Sequence, residues 1–252
     1  MIEILILSLV QGITEFLPIS SSSHLILISE FLDFRNQNLS IDISLHIGSF
    51  IAVITYFYKD IISFFYNKIL FFKILISSVP LMIIGFFLVE TGSIEKIRSL
   101  KVIAWTTIVF GILLFISDKF NLEKSIEKNF TIKSAMFIGL LQILSLIPGV
   151  SRSGIAITAA RLLNFKRVDA AKISFLISIP ILAAVSLFGL KNLILSGGSD
   201  FAISNMFAIL FSFFTSLITI KYFLIYIQKF NLNIFIYYRI LLGLGLITIA
   251  YL

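Results

Sequence analysis

The sequence predicts an all-α fold, a polytopic membrane helix bundle with two broken-helix regions, on three observations. Apolar residues make up 59% of the 252 positions and charged ones 13%. The mean hydropathy is +1.07, which a water-soluble domain of this size does not carry without exposing large apolar patches. Apolar runs at 41–58, 69–89, 102–117, 201–220 and 234–252 approach or reach the ~20 residues that cross a hydrocarbon core, and none alternates as a barrel strand does. Two polar, helix-breaking stretches, 17–24 and 148–154, interrupt apolar sequence. Unwound backbone is tolerated at membrane depth only where it is buried in protein or lines a cavity.

The elements follow in order. Residues 1–10 are too short for a span and lead into no small-residue cleavage pattern, so they are expected to remain as part of a first helix over 2–14. Pro18 and the serines 20–23 interrupt it before 24–34 resumes, which makes a re-entrant hairpin or a broken span. A polar loop at 33–40 precedes the 41–58 run. A basic link with Lys59 and Lys68 leads to 69–89, which holds Pro80 near its middle. A charged loop with Glu90, Glu95, Lys96, Arg98 and Lys101 precedes 102–117, which completes a first half. Residues 118–133 carry Lys119, Lys124, Lys128 and Lys133 against Asp118, Glu123 and Glu127 and read as a solvated linker. The second half restarts at Ser134, breaks at 148–154, resumes through Leu163 and continues as 168–190 with Pro180 inside.

The halves are related. An offset of 131 pairs Gln11 with Gln142, Thr14 with Ser145, Ile19 with Val150, Ser20 with Ser151 and Ser22 with Ser153. A single transmembrane domain, 1–252, therefore divides into repeats of about 1–117 and about 134–252, joined by about 118–133. Ser78, Val79 and Pro80 are echoed by Ser178, Ile179 and Pro180, which reads as support for the repeat. Broken apolar segments at matching places in two halves point to a midplane site, here one polar pocket enclosed by both breaks.

The formal charge of +7 is spread through short loops and not gathered into a stripe, so membrane lipids are the expected partners and nucleic acid is not. Lys and Arg in alternate loops give no orientation. The absence of cysteine excludes a disulfide framework, a thiolate metal site and a thiol nucleophile.

Chemistry concentrates at the breaks. Gln11 and Glu15 share a helical face, and a carboxylate at that depth is a functional feature by default. Ser20, Ser21, Ser22 and Ser23 offer hydroxyls and N–H groups just before a helix start, a ready anion site. Four serines exceed what capping needs. His24 follows them as a nucleophile or general acid. His46, on one face with Asp42, reads as helix packing or support for other groups. In the second break, Arg152 lies between Ser151 and Ser153, with Gly149 and Gly154 letting backbone approach a ligand. Its guanidinium suits a fork of hydrogen bonds to phosphate. This inventory fits phosphoryl transfer from a lipid.

At these residues the chain resembles the bacterial undecaprenyl-diphosphate phosphatases, also known as bacitracin-resistance proteins. The likeness rests on stretch 11–21, with Gln11, Glu15, Pro18, Ser20 and Ser21, on His24, on 42–48, on 148–154 with Arg152, and on 175–180; it covers essentially the whole chain. The resemblance implies a multi-pass phosphatase with inverted repeats and two re-entrant regions. Its substrate would be a C55 polyprenyl diphosphate, and its product the monophosphate carrier for cell-wall synthesis. It also implies a divalent cation, Mg2+ or Ca2+, held near Glu15, and a pocket facing the outer side of the cytoplasmic (inner) membrane. A homodimer is open. Glu15, Ser21, His24 and Arg152 would be catalytic, and Gln11, Ser20, Ser22, Gly149, Ser151, Ser153 and Gly154 would bind substrate. Position 11 is Gln where many members have Glu, and Ser23 stands where many have Gly. The nucleophile stays open between Ser21, His24 and water. A lipid transporter or flippase is the rival class, since inverted repeats with broken helices also build transport sites.

Overall fold

The structure, a computed structural model, describes residues 1–32, 34, 39–93, 97–119, 124–195 and 203–252. Parts of the expected loops at 33–40 and 90–101, of the 118–133 segment and of the 201–220 run lie outside these residues. Among the described residues there is no strand, and the sole β feature is an isolated bridge between Lys124 and Phe165.

The helices are α1 (Ile2–Thr14), α2 (Ser21–Leu32), α3 (Leu39–Tyr56), α4 (Tyr58–Tyr66), α5 (Lys68–Glu90), α6 (Leu100–Asp118), α7 (Ile126–Asn129), α8 (Ile132–Gln142), α9 (Arg152–Leu162), α10 (Arg167–Leu195), α11 (Ile203–Lys229) and α12 (Asn233–Tyr251). Five of them are long and apolar enough to cross a membrane, and a sixth span results if Ser40–Tyr56 and Tyr58–Phe64, bent by 74° at Phe57, are taken as one. The chain is a multi-pass membrane protein. At a rise of about 1.5 Å per residue, α1, α2, α8 and α9, of 11 to 13 residues, reach only part of the way across. That length suits the arms of re-entrant regions.

Packing explains why the spans close on each other although lipid is as apolar as they are. Interfaces between spans carry small and hydroxylated residues that allow close approach and bond across. Ser49 on α3 bonds Ser212 and Ser216 on α11 at 3.1 and 3.0 Å, and Ser212 donates to the Leu45 carbonyl at 2.7 Å. The outer surface keeps large apolar side chains such as Phe72, Trp105 and Leu241 for the lipid. The main core gathers round Phe175 on α10, which meets Phe16 edge-on at 5.4 Å and Phe223 at 5.9 Å. Phe16 follows Glu15 directly, so the core fixes the first break.

Three expectations need correction. The stretch after Tyr56 is a helix, α4, and not merely a basic link; only the turn at Phe57 separates it from α3. The 118–133 segment is not simply solvated: Ile126 and Phe130 belong to the main core, and Asp118 is buried. Asp118 Oδ1 binds Arg161 at 3.0 Å and Arg167 at 2.8 Å, and its Oδ2 accepts from the Leu232 amide at 3.2 Å. Opposite charges that look solvated in sequence thus pair inside. Finally, Pro80 and Pro180 lie within α5 and α10, which the offset of 131 does not relate. These helices touch instead, with the Ser78 hydroxyl donating to the Ile177 carbonyl at 3.2 Å. The echo marks one interface and is no evidence for a repeat.

Candidate active site

The two breaks form alike. After α1, residues 15–19 turn without regular helix and Ser20 takes φ 76°; after α8, a 3-10 turn over Ile143–Leu146 and a bend lead to Ser151 at φ 73°. Left-handed backbone is uncommon at a residue with a Cβ and persists where the surroundings over-determine it. The surroundings are specific. Ser151 Oγ caps α9 by accepting from the Gly154 amide at 3.1 Å and contacts Ser153 Oγ at 3.2 Å. Ser20 Oγ contacts Ser23 Oγ at 3.0 Å and Ser22 Oγ at 3.4 Å. Ser153 Oγ donates to the Leu17 carbonyl at 2.7 Å, tying one break to the other.

Arg239, from the middle of α12, completes this framework. It is fully buried. Its guanidinium donates to the Pro18 carbonyl of the first break at 3.2 Å and to the Gly149 and Val150 carbonyls of the second at 2.9 and 3.1 Å; its Nε donates to the Thr107 carbonyl at 3.1 Å. Carbonyls freed by unwound backbone have no water to turn to in a bilayer and need such a donor. Gly154 makes room for it, since a Cβ there would lie 2.9 Å from an Arg239 nitrogen. Gly149, at φ 93°, has Thr106 where its Cβ would stand. Both glycines serve close packing within the protein, and neither lines the cavity.

Ser21 and Arg152, the first residues of α2 and α9, converge on Glu15. Ser21 Oγ donates to Oε2 at 2.7 Å and Arg152 to Oε1 at 2.9 Å. The Gln11 amide donates to Oε2 at 3.1 Å and lies 3.1 Å from His46 Nδ1, which accepts in the tautomer that leaves this nitrogen bare. A second Arg152 nitrogen donates to the Ser174 carbonyl at 3.3 Å, which aims the side chain. Glu15, Ser21, His46, Ser145 and Arg152 form the polar end of a cavity of about 330 Å³. Its remaining wall is apolar, with Leu81, Met82 and Phe86 from α5 and Ile181, Val185 and Phe188 from α10.

Of the residues singled out in the sequence, Glu15, Ser21 and Arg152 line this cavity, and Gln11 stands one hydrogen bond behind. Ser20, Ser22, Gly149, Ser151, Ser153 and Gly154 do not line it; they build the breaks. The two histidines exchange places relative to expectation. His46 lines the cavity, whereas His24 does not, because its Nδ1 is 2.6 Å from the Ser20 carbonyl and its Nε2 is 2.6 Å from the Tyr238 hydroxyl on α12. Sequence reasoning also passed over Arg239, although it is the one charged residue in the 234–252 run, a signal by the same argument applied to Glu15.

A dication fits this donor set as a partner of a phosphorylated ligand. Glu15 supplies a carboxylate, and Gln11 Oε1 is a buried acceptor with no partner. Mg2+ is commonly held by one or two carboxylates together with substrate phosphates. Among the described residues no cluster of three or more His, Asp and Glu makes a self-sufficient metal centre.

The comparisons agree with this geometry. An undecaprenyl-diphosphatase of Pelagibacter ubique (strain HTCC1062) is 47% identical over 99% of this chain and 98% of its own length. Relatives with the same name from Saccharophagus degradans and Hahella chejuensis are 43% and 40% identical, over 97% and 99% of this chain and 96% and 98% of theirs. The family model described as bacitracin resistance protein BacA matches residues 4–245. With both breaks, the cavity between them and nearly the whole chain inside that match, the protein belongs to the bacitracin resistance protein BacA family.

Proposed function

We propose that this protein is a membrane phosphatase that hydrolyses undecaprenyl diphosphate to undecaprenyl phosphate and inorganic phosphate. In that role it would recycle the lipid carrier for peptidoglycan and other cell-wall polymers and confer resistance to bacitracin. The observation that carries the reading is the cavity itself. A guanidinium, a carboxylate and a hydroxyl meet at one end of an otherwise apolar chamber, which matches a charged headgroup on an apolar chain. We place it in the bacterial cytoplasmic (inner) membrane with the cavity open to the outer side, in keeping with the resemblance noted above. We also take the chain as one domain of two repeats; the left-handed serines at 20 and 151 support that division.

The residues divide the work. Arg152 presents its free N–H groups to oxygens of the terminal phosphoryl group, in the way arginine and metal clamps stabilise a transferring phosphoryl. Ser21 is the nucleophile this geometry favours, since its proton already points at Glu15 Oε2. Glu15 takes that proton as the Ser21 oxygen bonds to the terminal phosphorus, and the bridging P–O bond breaks to release undecaprenyl phosphate. Glu15 passes that proton to the departing undecaprenyl phosphate. Water then attacks the phosphoserine and gives a proton to Glu15, which returns it to the Ser21 oxygen as the Ser21 O–P bond breaks and phosphate leaves. A dication bound by Glu15 and Gln11 would neutralise phosphate charge. His46, one hydrogen bond from Gln11, keeps the Gln11 amide turned toward Glu15. His24, turned to Tyr238, holds the first break in shape.

The test is phosphate release from undecaprenyl diphosphate by the purified protein in detergent, with and without chelator. Release that a chelator lowers is expected. No release, with lipid movement across vesicles instead, would replace this reading with transport.

A further inference from the structure

The proposed reaction leaves a physical question about the far end of the substrate. A C55 chain is far larger than a cavity of about 330 Å³, so most of it lies outside while its headgroup is held by Glu15, Ser21 and Arg152. It leaves by a route that never crosses water.

The apolar flank of the cavity supplies one such route. It is made by α5 and α10, and several of its residues keep much of their surface accessible: Phe86 is 50% exposed, Val89 47% and Val185 41%. The apolar wall is therefore not sealed between these two helices, each of which is long and apolar enough to cross the bilayer. Phe86 and Phe188 meet there edge-on, with ring centroids 5.9 Å apart and planes at 82°, and are the aromatic contact between α5 and α10 at the cavity. Aromatic side chains turn about two soft torsions, so this pair can part round a chain without moving either helix. Gly85 keeps the adjoining wall open, because a Cβ there would already lie 3.3 Å from Leu146 of the second break.

We propose that the Phe86–Phe188 pair is a lateral portal through which the substrate's prenyl chain passes to the bilayer, and that the α5–α10 flank is its chain-binding subsite. The proposal rests on the phosphatase reading for the identity of the headgroup, but its test does not need turnover. The chain has no cysteine, so single thiols can be placed at Phe86→Cys and Val185→Cys, with Leu241→Cys, exposed on α12, as a control. Each full-length variant is labelled with N-ethylmaleimide in detergent, alone or with undecaprenyl phosphate, undecaprenol or inorganic phosphate. Undecaprenyl phosphate is expected to slow labelling at positions 86 and 185 about tenfold and to leave 241 unchanged, while neither undecaprenol nor inorganic phosphate protects any position. Equal labelling with and without undecaprenyl phosphate at both portal positions, or equal protection at 241, overturns the portal. Phosphate release by the unsubstituted protein is measured alongside. An active protein without protection sinks the portal alone, whereas an inactive protein with protection sinks the phosphatase reading and leaves the subsite.

Discussion

Ser21 and Arg152 each open the helix that follows a break, and both donate to one carboxylate, Ser21 to Glu15 Oε2 at 2.7 Å and Arg152 to Glu15 Oε1 at 2.9 Å. The pairing joins segments 137 residues apart and sets Arg152 in the wall of the cavity beside Glu15 and Ser21. A buried ion pair is weak evidence for stability in itself. Here each partner is held by further bonds, Arg152 by the Ser174 carbonyl and Glu15 by Gln11, so the geometry is fixed before a substrate arrives.

Replacing Arg152 with Ala is expected to lower the rate of phosphate release by about 10³-fold or more, the range found when an arginine is taken from a transferring phosphoryl group. Arg152→Lys should recover only a small part, because a point charge cannot hold Glu15, the Ser174 carbonyl and a phosphate at once. Turnover of both variants at saturating lipid is the measurement. Near-normal kcat in Arg152→Lys would remove the fork from the mechanism.

Ser21→Ala and His24→Ala should differ sharply. Ser21 lines the cavity and His24 does not, so Ser21→Ala is expected to lose about 10³-fold in kcat or more, on the scale of removing a covalent nucleophile together with its activation. His24→Ala should lose about tenfold, and Tyr238→Phe should reproduce part of that loss, since His24 Nε2 and the Tyr238 hydroxyl are partners at 2.6 Å. A His24→Ala protein as dead as Ser21→Ala would return the imidazole to the reaction.

This contrast shows what sequence can and cannot reveal. The spans were legible because lipid imposes long apolar runs: 69–89 became Lys68–Glu90 and 234–252 became Asn233–Tyr251. The breaks were legible because Pro18, Pro148 and the polar residues beside them disfavour an unbroken helix, but their ends were not, since Ser21 to Ser23 and Arg152 to Gly154 form the first turns of α2 and α9. The direction of a side chain was not. His24 lies three positions past Ser21, yet the left-handed turn at Ser20 and the approach of α12 decide which way it faces, and both are tertiary facts. The burial of Asp118 was hidden for a similar reason, since its partners Arg161 and Arg167 lie more than forty residues on.

Arg239 is expected to be indispensable to the fold. Arg239→Met removes the donors from the carbonyls of Pro18, Gly149, Val150 and Thr107 and should lower stability by about 3 to 5 kcal/mol, since hydrogen bonds to a charged group contribute about 1.5 to 3 kcal/mol each and do not add fully. Arg239→Lys can reach fewer of the four and should fall between. Unfolding in detergent, followed by circular dichroism, checks this. Unchanged stability of Arg239→Met would mean that the breaks hold their shape without a cation between them.

Asp118 offers the complementary case, a buried charge cluster at the opposite end of α9 from Arg152. Arg161, the partner of Asp118 on this helix, lies nine residues past Arg152, about 14 Å along the axis at 1.5 Å per residue. Asp118→Asn removes the carboxylate charge that Arg161 and Arg167 share inside the protein and is expected to cost about 3 to 5 kcal/mol. Arg167→Ala should cost about 1 kcal/mol or less, because Arg167 is partly exposed and its bond to Asp118 is screened. KM for the lipid should stay unchanged in both while the protein remains folded. The double variant Asp118→Asn with Arg161→Met removes both members of the Asp118–Arg161 pair and should regain part of the loss. If Asp118→Asn alone raised KM without lowering stability, the cluster would be coupled to the cavity along α9 and would not act as a separate clasp between α6, α9, α10 and α12.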